Sequence, residues 1–174
     1  MDVEIGSVTI LSDFGLFTLF LFVHVLTAII AFGPAFIFPL IGAMGGKEPM
    51  HGNFAIRISE TIEEKIVIPA ALTMPISGLL IIWFGHINLF DRTSAWLVLG
   101  IILYIVGLYI AVIRQRQVVR KMVELTSGPP PAGAPAGPPP GFLDLTRQVR
   151  INGMALTVLI VVIVLLMTTR PQFG

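Results

Sequence analysis

His24 is the one basic side chain that lies inside a long apolar run of this chain. An imidazole there can ligate haem iron, pass a proton, or hydrogen-bond a neighbouring helix. Ionisable groups at that depth are costly and are functional candidates by default. Ala28, Ala31 and Ala35 follow at steps of four, three and four, which puts all four residues on one helical face. Small residues let a second helix approach closely, so His24 is expected to point into a bundle and away from lipid. A second run repeats the pattern with Gly100, Tyr104, Gly107 and Ala111. His24 and Tyr104 each stand ten residues from the start of their runs, Phe14 and Ser94. At 1.5 Å per residue that is about 15 Å, close to mid-membrane. Thr73, Met74, Ser77 and Thr157 reach similar depth in the other two runs. Together these residues outline a small polar cluster.

Two chemistries compete for it. In the first, the cluster is structural: His24 hydrogen-bonds Tyr104 or Thr73, with its ring facing the Gly100/Gly107 face of the third run, and no cofactor is bound. In the second, His24, Tyr104 and Met74 form a haem b or quinone site. No second core histidine exists, since His51 and His86 fall outside the runs, so Met74 would supply a His/Met axial pair. Transport has less to build on, because no acidic residue lies mid-membrane. The chain has no cysteine, which removes thiol catalysis, thiolate metal sites and disulfides.

The elements that position the cluster are four apolar runs, at 14–40, 66–84, 94–113 and 151–168. Each is near or above the about 20 residues a helix needs to cross a bilayer. Of the 174 residues only 12% are charged, against about 25% in soluble domains, and the mean hydropathy is +0.92. The expected fold is all-α: a single membrane domain over residues 1–174, built as a four-helix bundle. A net charge of +1 gives no field to attract nucleic acid. Residues 1–13 carry three acids and no Lys or Arg, unlike the basic n-region of a signal peptide, so the first run is expected to stay as a span.

Basic residues set the expected orientation. Lys47, Arg57 and Lys65 fall in the first loop, and Arg114, Arg116, Arg120, Lys121, Arg147 and Arg150 in the third. Only Arg92 and Arg170 lie on the other side. Nine against two predicts both long loops in the cytoplasm and both termini outside. Trp83 and Trp96 then fall at the outer interface, the zone that indole prefers.

Pro34 and Pro75 should bend the first two helices, either as hinges or as ordinary membrane prolines. Residues 53–65 read as a polar helical lead-in lying at the inner interface, its acids forming a solvated face or, alternatively, a cation site. The third helix should continue past the membrane through 114–125, its basic residues meeting anionic headgroups. Residues 128–141 hold seven prolines and four glycines and read as a flexible cytoplasmic linker. Residues 142–145 read as a short apolar foot.

The stretches HVLTAIIAFGPAF (24–36), IPAALTMPISGLLI (68–81) and SAWLVLGIILYIVGLYIAVIRQR (94–116) resemble a family of uncharacterised bacterial integral membrane proteins, domain-of-unknown-function family 2269. The matching positions are His24; Pro75, Ser77, Gly78 and Leu79; and Trp96, Leu103 and Tyr104. The resemblance spans most of the chain outside the proline linker. It implies the fold and a membrane location, but no activity. A weaker resemblance, to the membrane protoporphyrinogen-oxidase family, rests on a histidine followed by a small-residue helix. That family's W-x-x-G and second histidine are absent here, and Gly45 and Gly46 stand near their place. The expectation is a multi-pass protein of the bacterial inner membrane, in contact with lipid and with other membrane-protein subunits. Its role is read as structural or accessory, not enzymatic, with the haem- or quinone-linked redox protein as the alternative.

Overall fold

The computed structural model describes residues 2–128 and 138–171, with only the helical backbone given for 2–14. Among them there is no strand, and four helical segments contain stretches long and apolar enough to cross a membrane: Gly15–Lys47, Gly52–Phe84, Arg92–Thr126 and Phe142–Thr169. Segments of 33, 33 and 35 residues are about 50 Å long. They exceed the about 30 Å hydrocarbon core, so polar turns extend beyond the apolar runs.

The first segment is α1 (Asp2–Phe32) and α2 (Pro34–Lys47), broken at Gly33. Pro34 cannot donate the next helical hydrogen bond, and its ring crowds the preceding turn. The second is α3 (Gly52–Ile62), a π-helical turn (Glu63–Val67) and α4 (Ile68–Phe84). The third is α5 (Ala95–Tyr109), a second π-helical stretch (Ile110–Gln115) and α6 (Arg116–Thr126). The fourth is one helix, α7 (Phe142–Thr169). The expected continuation of the third helix is present. The expected foot at 142–145 is instead the first turn of α7, entered through Gly141 at φ 83°, a conformation that glycine adopts without strain. Of the proline linker, residues 129–137 lie outside the described residues.

The four segments pack in two ways. Away from the basic loops, α1 pairs with α4 and α5 pairs with α7. Phe20 stacks on Phe84 at 5.4 Å, and Arg170 lies 5.7 Å above the Trp96 ring. Toward the basic loops the pairs join, α2 on α3, α3 on α6, and α7 on both α6 and α2. Only 6–17% of each spanning window is buried inside the protein, so lipid or other membrane proteins must cover the rest.

Candidate functional site

The interior face of the first helix is the one carrying His24. His24, Ala28 and Ala35 are half-buried and Ala31 is buried, while Val25, Ile29 and Phe36 face outward. The facing seam on the second segment is Glu63, Ala70, Met74 and Ser77, all buried. Ala31, Ala70 and Met74 form the tight core, with Ala28, Phe32, Ala71 and Tyr104 packed around it.

His24 Nδ1 lies 3.0 Å from Ser77 Oγ. The Ser77 hydroxyl is also 3.0 Å from the Met74 carbonyl, to which it donates. With that proton used, the network assigns the shared hydrogen to Nδ1, which donates to Ser77 and leaves Nε2 with the lone pair. Gly78 stands beside the ring: a Cβ there would meet His24 Cε1 at 3.4 Å.

Tyr104 does not answer His24 as expected. Its hydroxyl donates to the Ala71 carbonyl of α4. Ala71 is six residues from Ser77 on the same helix, about 9 Å along its axis. The two polar contacts are therefore separate, with Met74 between them. The reason lies in Pro75. A residue at position 75 would normally donate to the carbonyl four residues back, at Ala71, and proline has no N–H to give. That carbonyl lacks its helical donor, and the Tyr104 hydroxyl of the third helix takes the place of the missing N–H. The Gly100/Gly107 face turns the other way, toward α7: a Cβ on Gly100 would meet Met167 Cε at 2.6 Å, and one on Gly107 would meet Leu159 Cδ1 at 3.9 Å.

The remaining members of the expected cluster do not join it. Thr73 is exposed on the outer face and donates to the Pro69 carbonyl, and Thr157 donates to Gly153 within its own helix. The other histidines are apart: His51 pairs with Glu48 at 2.9 Å in the first loop, and His86 sits in the exposed turn after α4. Among the described residues no group of three His, Asp or Glu side chains could hold a metal.

A second polar layer lies at the basic end, where the solvated face was expected. Glu63 is only 8% exposed. Glu64 binds Arg116 across the bundle, one carboxylate oxygen accepting from Nε at 3.1 Å and Nη2 at 2.6 Å. Gln115 contributes a buried side-chain oxygen with no hydrogen-bond partner, and Asn152 of α7 is also buried. Asn53 and Thr126 tie the same two segments at 2.8 Å, farther out. The lead-in therefore stands in the bundle, and does not lie along its surface. Sequence periodicity could have found Glu63: steps of three, four and seven back from Ser77 reach Met74, Ala70 and Glu63.

Comparison with known proteins adds the family. No curated protein and no solved structure matches the chain. A family model described as "Predicted integral membrane protein (DUF2269)" matches residues 18–171, which include His24, Pro75, Ser77, Tyr104 and both polar layers. The chain belongs to that family of integral membrane proteins.

Proposed function

We propose that this is a non-enzymatic, structural or accessory protein of the bacterial inner membrane, working alongside other membrane-protein subunits. The observation that carries this reading is the use to which the intramembrane polar groups are put. His24 binds Ser77, Ser77 binds the Met74 carbonyl, and Tyr104 caps the Ala71 carbonyl. The His24 and Tyr104 contacts join helices, the second also repairing one, while Ser77 spends its proton within its own helix, which is what polar side chains do as packing elements in lipid. The large apolar surface left on every span suits lipid and further subunits alike.

One observation favours a second reading, a haem- or quinone-linked redox protein. With Nδ1 held by Ser77, Nε2 is the nitrogen left for a ligand, the usual arrangement of a metal-bound histidine. Met74 fits less well as the opposite axial ligand. It shares the seam of Ser77, and α1 packs directly on α4 there, so a porphyrin between His24 and Met74 would have to part the two helices.

The visible absorption spectrum of the protein purified in mild detergent separates the readings, together with its elution size. The accessory reading expects a featureless visible region and co-elution with other membrane proteins. A Soret band abolished by His24→Leu in a folded protein would replace it with the redox reading.

A further inference from the structure

We propose that Glu63 is a proton-binding group, and that its proton sets the strength of the clamp between the second and third segments. Three observations meet at this residue. First, Glu63 is the only acidic residue among the buried residues described, and the side-chain hydrogen bonds of Arg116 go to its neighbour Glu64. It lies three residues before the apolar run that begins at Ile66, about 5 Å along the helix, at the level of the lipid headgroups.

Second, the cation that serves it is already engaged. Arg116 turns both Nε and Nη2 to Glu64. The charged groups acting on Glu63 are Arg116 from α6 and Glu60 and Glu64 from its own segment. Arg120 of α6 and Lys65 act on Glu64. Residues 15–32 of α1 and all of α4, on the two helices that pack against the Glu63 turn, carry no Asp, Glu, Lys or Arg, and His24 is the one titratable imidazole among them. Two carboxylates thus share one guanidinium, and the more deeply buried one is left over. A largely buried carboxylate that must share its cation is costly, and taking up a proton removes that cost.

Third, the backbone is irregular on both sides of the contact. Glu63 opens one π-helical turn, and Gln115, next to Arg116, closes the other. Such turns are rare and concentrate at functional sites. Here the two turns flank the layer in which the second and third segments make their ion pair.

The device works as follows. With Glu63 neutral, Arg116 belongs to Glu64, and the clamp closes on a site of balanced charge. With Glu63 ionised, it competes for Arg116 and adds a buried negative charge, which loosens α3 from α6. The folded bundle therefore favours the proton. Its stability is full at low pH and declines as pH rises through the titration of Glu63.

The test uses the full chain in neutral phosphatidylcholine vesicles, titrated from about pH 5 to pH 8. Infrared difference spectroscopy follows the C=O stretch of protonated carboxyls, and thermal unfolding is recorded at each pH. The wild type should lose one carboxyl band across the range, with a falling midpoint of unfolding. Glu63→Gln should lack the band and show a flat midpoint, while Glu60→Gln should keep both features. A wild type with no titrating carboxyl band overturns the proposal without reference to any variant. So does a band that survives in Glu63→Gln, or a midpoint in that variant that still falls with pH.

Discussion

The Tyr104 hydroxyl donates to the carbonyl of Ala71, the group that Pro75 leaves without a helical donor. A proline in one helix and a tyrosine in another are thus two halves of one solution. The backbone acceptor would otherwise be unpaired in hydrocarbon, at a cost of several kcal/mol in the limit of no partner.

This relationship has a measurable coupling. Tyr104→Phe keeps the ring's packing and removes the donor, and should destabilise the bundle by about 1 kcal/mol. Pro75→Ala returns an N–H to the carbonyl of Ala71. In that background Tyr104→Phe should cost clearly less. A double-mutant cycle of unfolding in detergent measures the difference, and strict additivity would show that the hydroxyl is not needed at Ala71.

His24 and Ser77 make the second link between helices. His24→Leu removes the bond of 3.0 Å but leaves Ser77 donating to Met74, so the loss should be modest, about 0.5–1.5 kcal/mol. His24→Gln retains a donor of similar reach and should lie closer to wild type. Equal destabilisation by both changes would mean that ring shape against Gly78, not the hydrogen bond, is what matters.

Much of this arrangement was legible in the sequence, for reasons that particular residues make plain. The four spans follow from hydropathy, because a helix is the only way for a single segment to satisfy its backbone in lipid. The inward face of the first helix follows from the steps His24, Ala28, Ala31, Ala35. Which helix that face meets does not follow, because the small-residue faces of the first and third helices look equally suited to each other. In the structure Ser77, within α4, takes His24, and Met167 and Leu159 take the Gly100/Gly107 face. Equal depth of His24 and Tyr104 was misleading, because a tyrosine hydroxyl sits far from its own Cα and reaches the level of Ala71. Glu63 was hidden by its neighbours: among Glu60, Glu64 and Lys65 it reads as one more solvated charge, and only the seam running back from Ser77 distinguishes it.

At the basic end, Gly45 of α2 faces Ala55 of α3. A Cβ added there would stand 2.7 Å from the Ala55 Cβ, a contact that neither short side chain can relieve by rotating. Gly45→Ala should therefore force the helices apart and destabilise by about 1–3 kcal/mol. Ala55→Gly in the same chain should recover much of that loss by removing the opposing methyl. Unfolding midpoints of the two single variants and the double variant decide it, and failure of Ala55→Gly to rescue would show that the Ala55 methyl is not what the new side chain meets.

The orientation inferred from the basic residues can be read directly, since the chain has no cysteine to give background labelling. Met50 is 93% exposed in the short turn between α2 and α3, among the basic residues of the first loop. Phe90 is 99% exposed in the turn between α4 and α5, beyond Trp83. The helical segment from Gly52 to Phe84 separates these two turns by about 50 Å, so they emerge on opposite sides of the bilayer. The excess of Lys and Arg predicts that the first turn faces the cytoplasm. A cysteine in place of Met50 should resist a membrane-impermeant thiol reagent in intact cells and react once the cells are permeabilised. A cysteine in place of Phe90 should react in both conditions. The reverse pattern would place the basic loops outside and overturn the orientation, while labelling of both positions in intact cells would contradict the membrane crossing of the second segment itself.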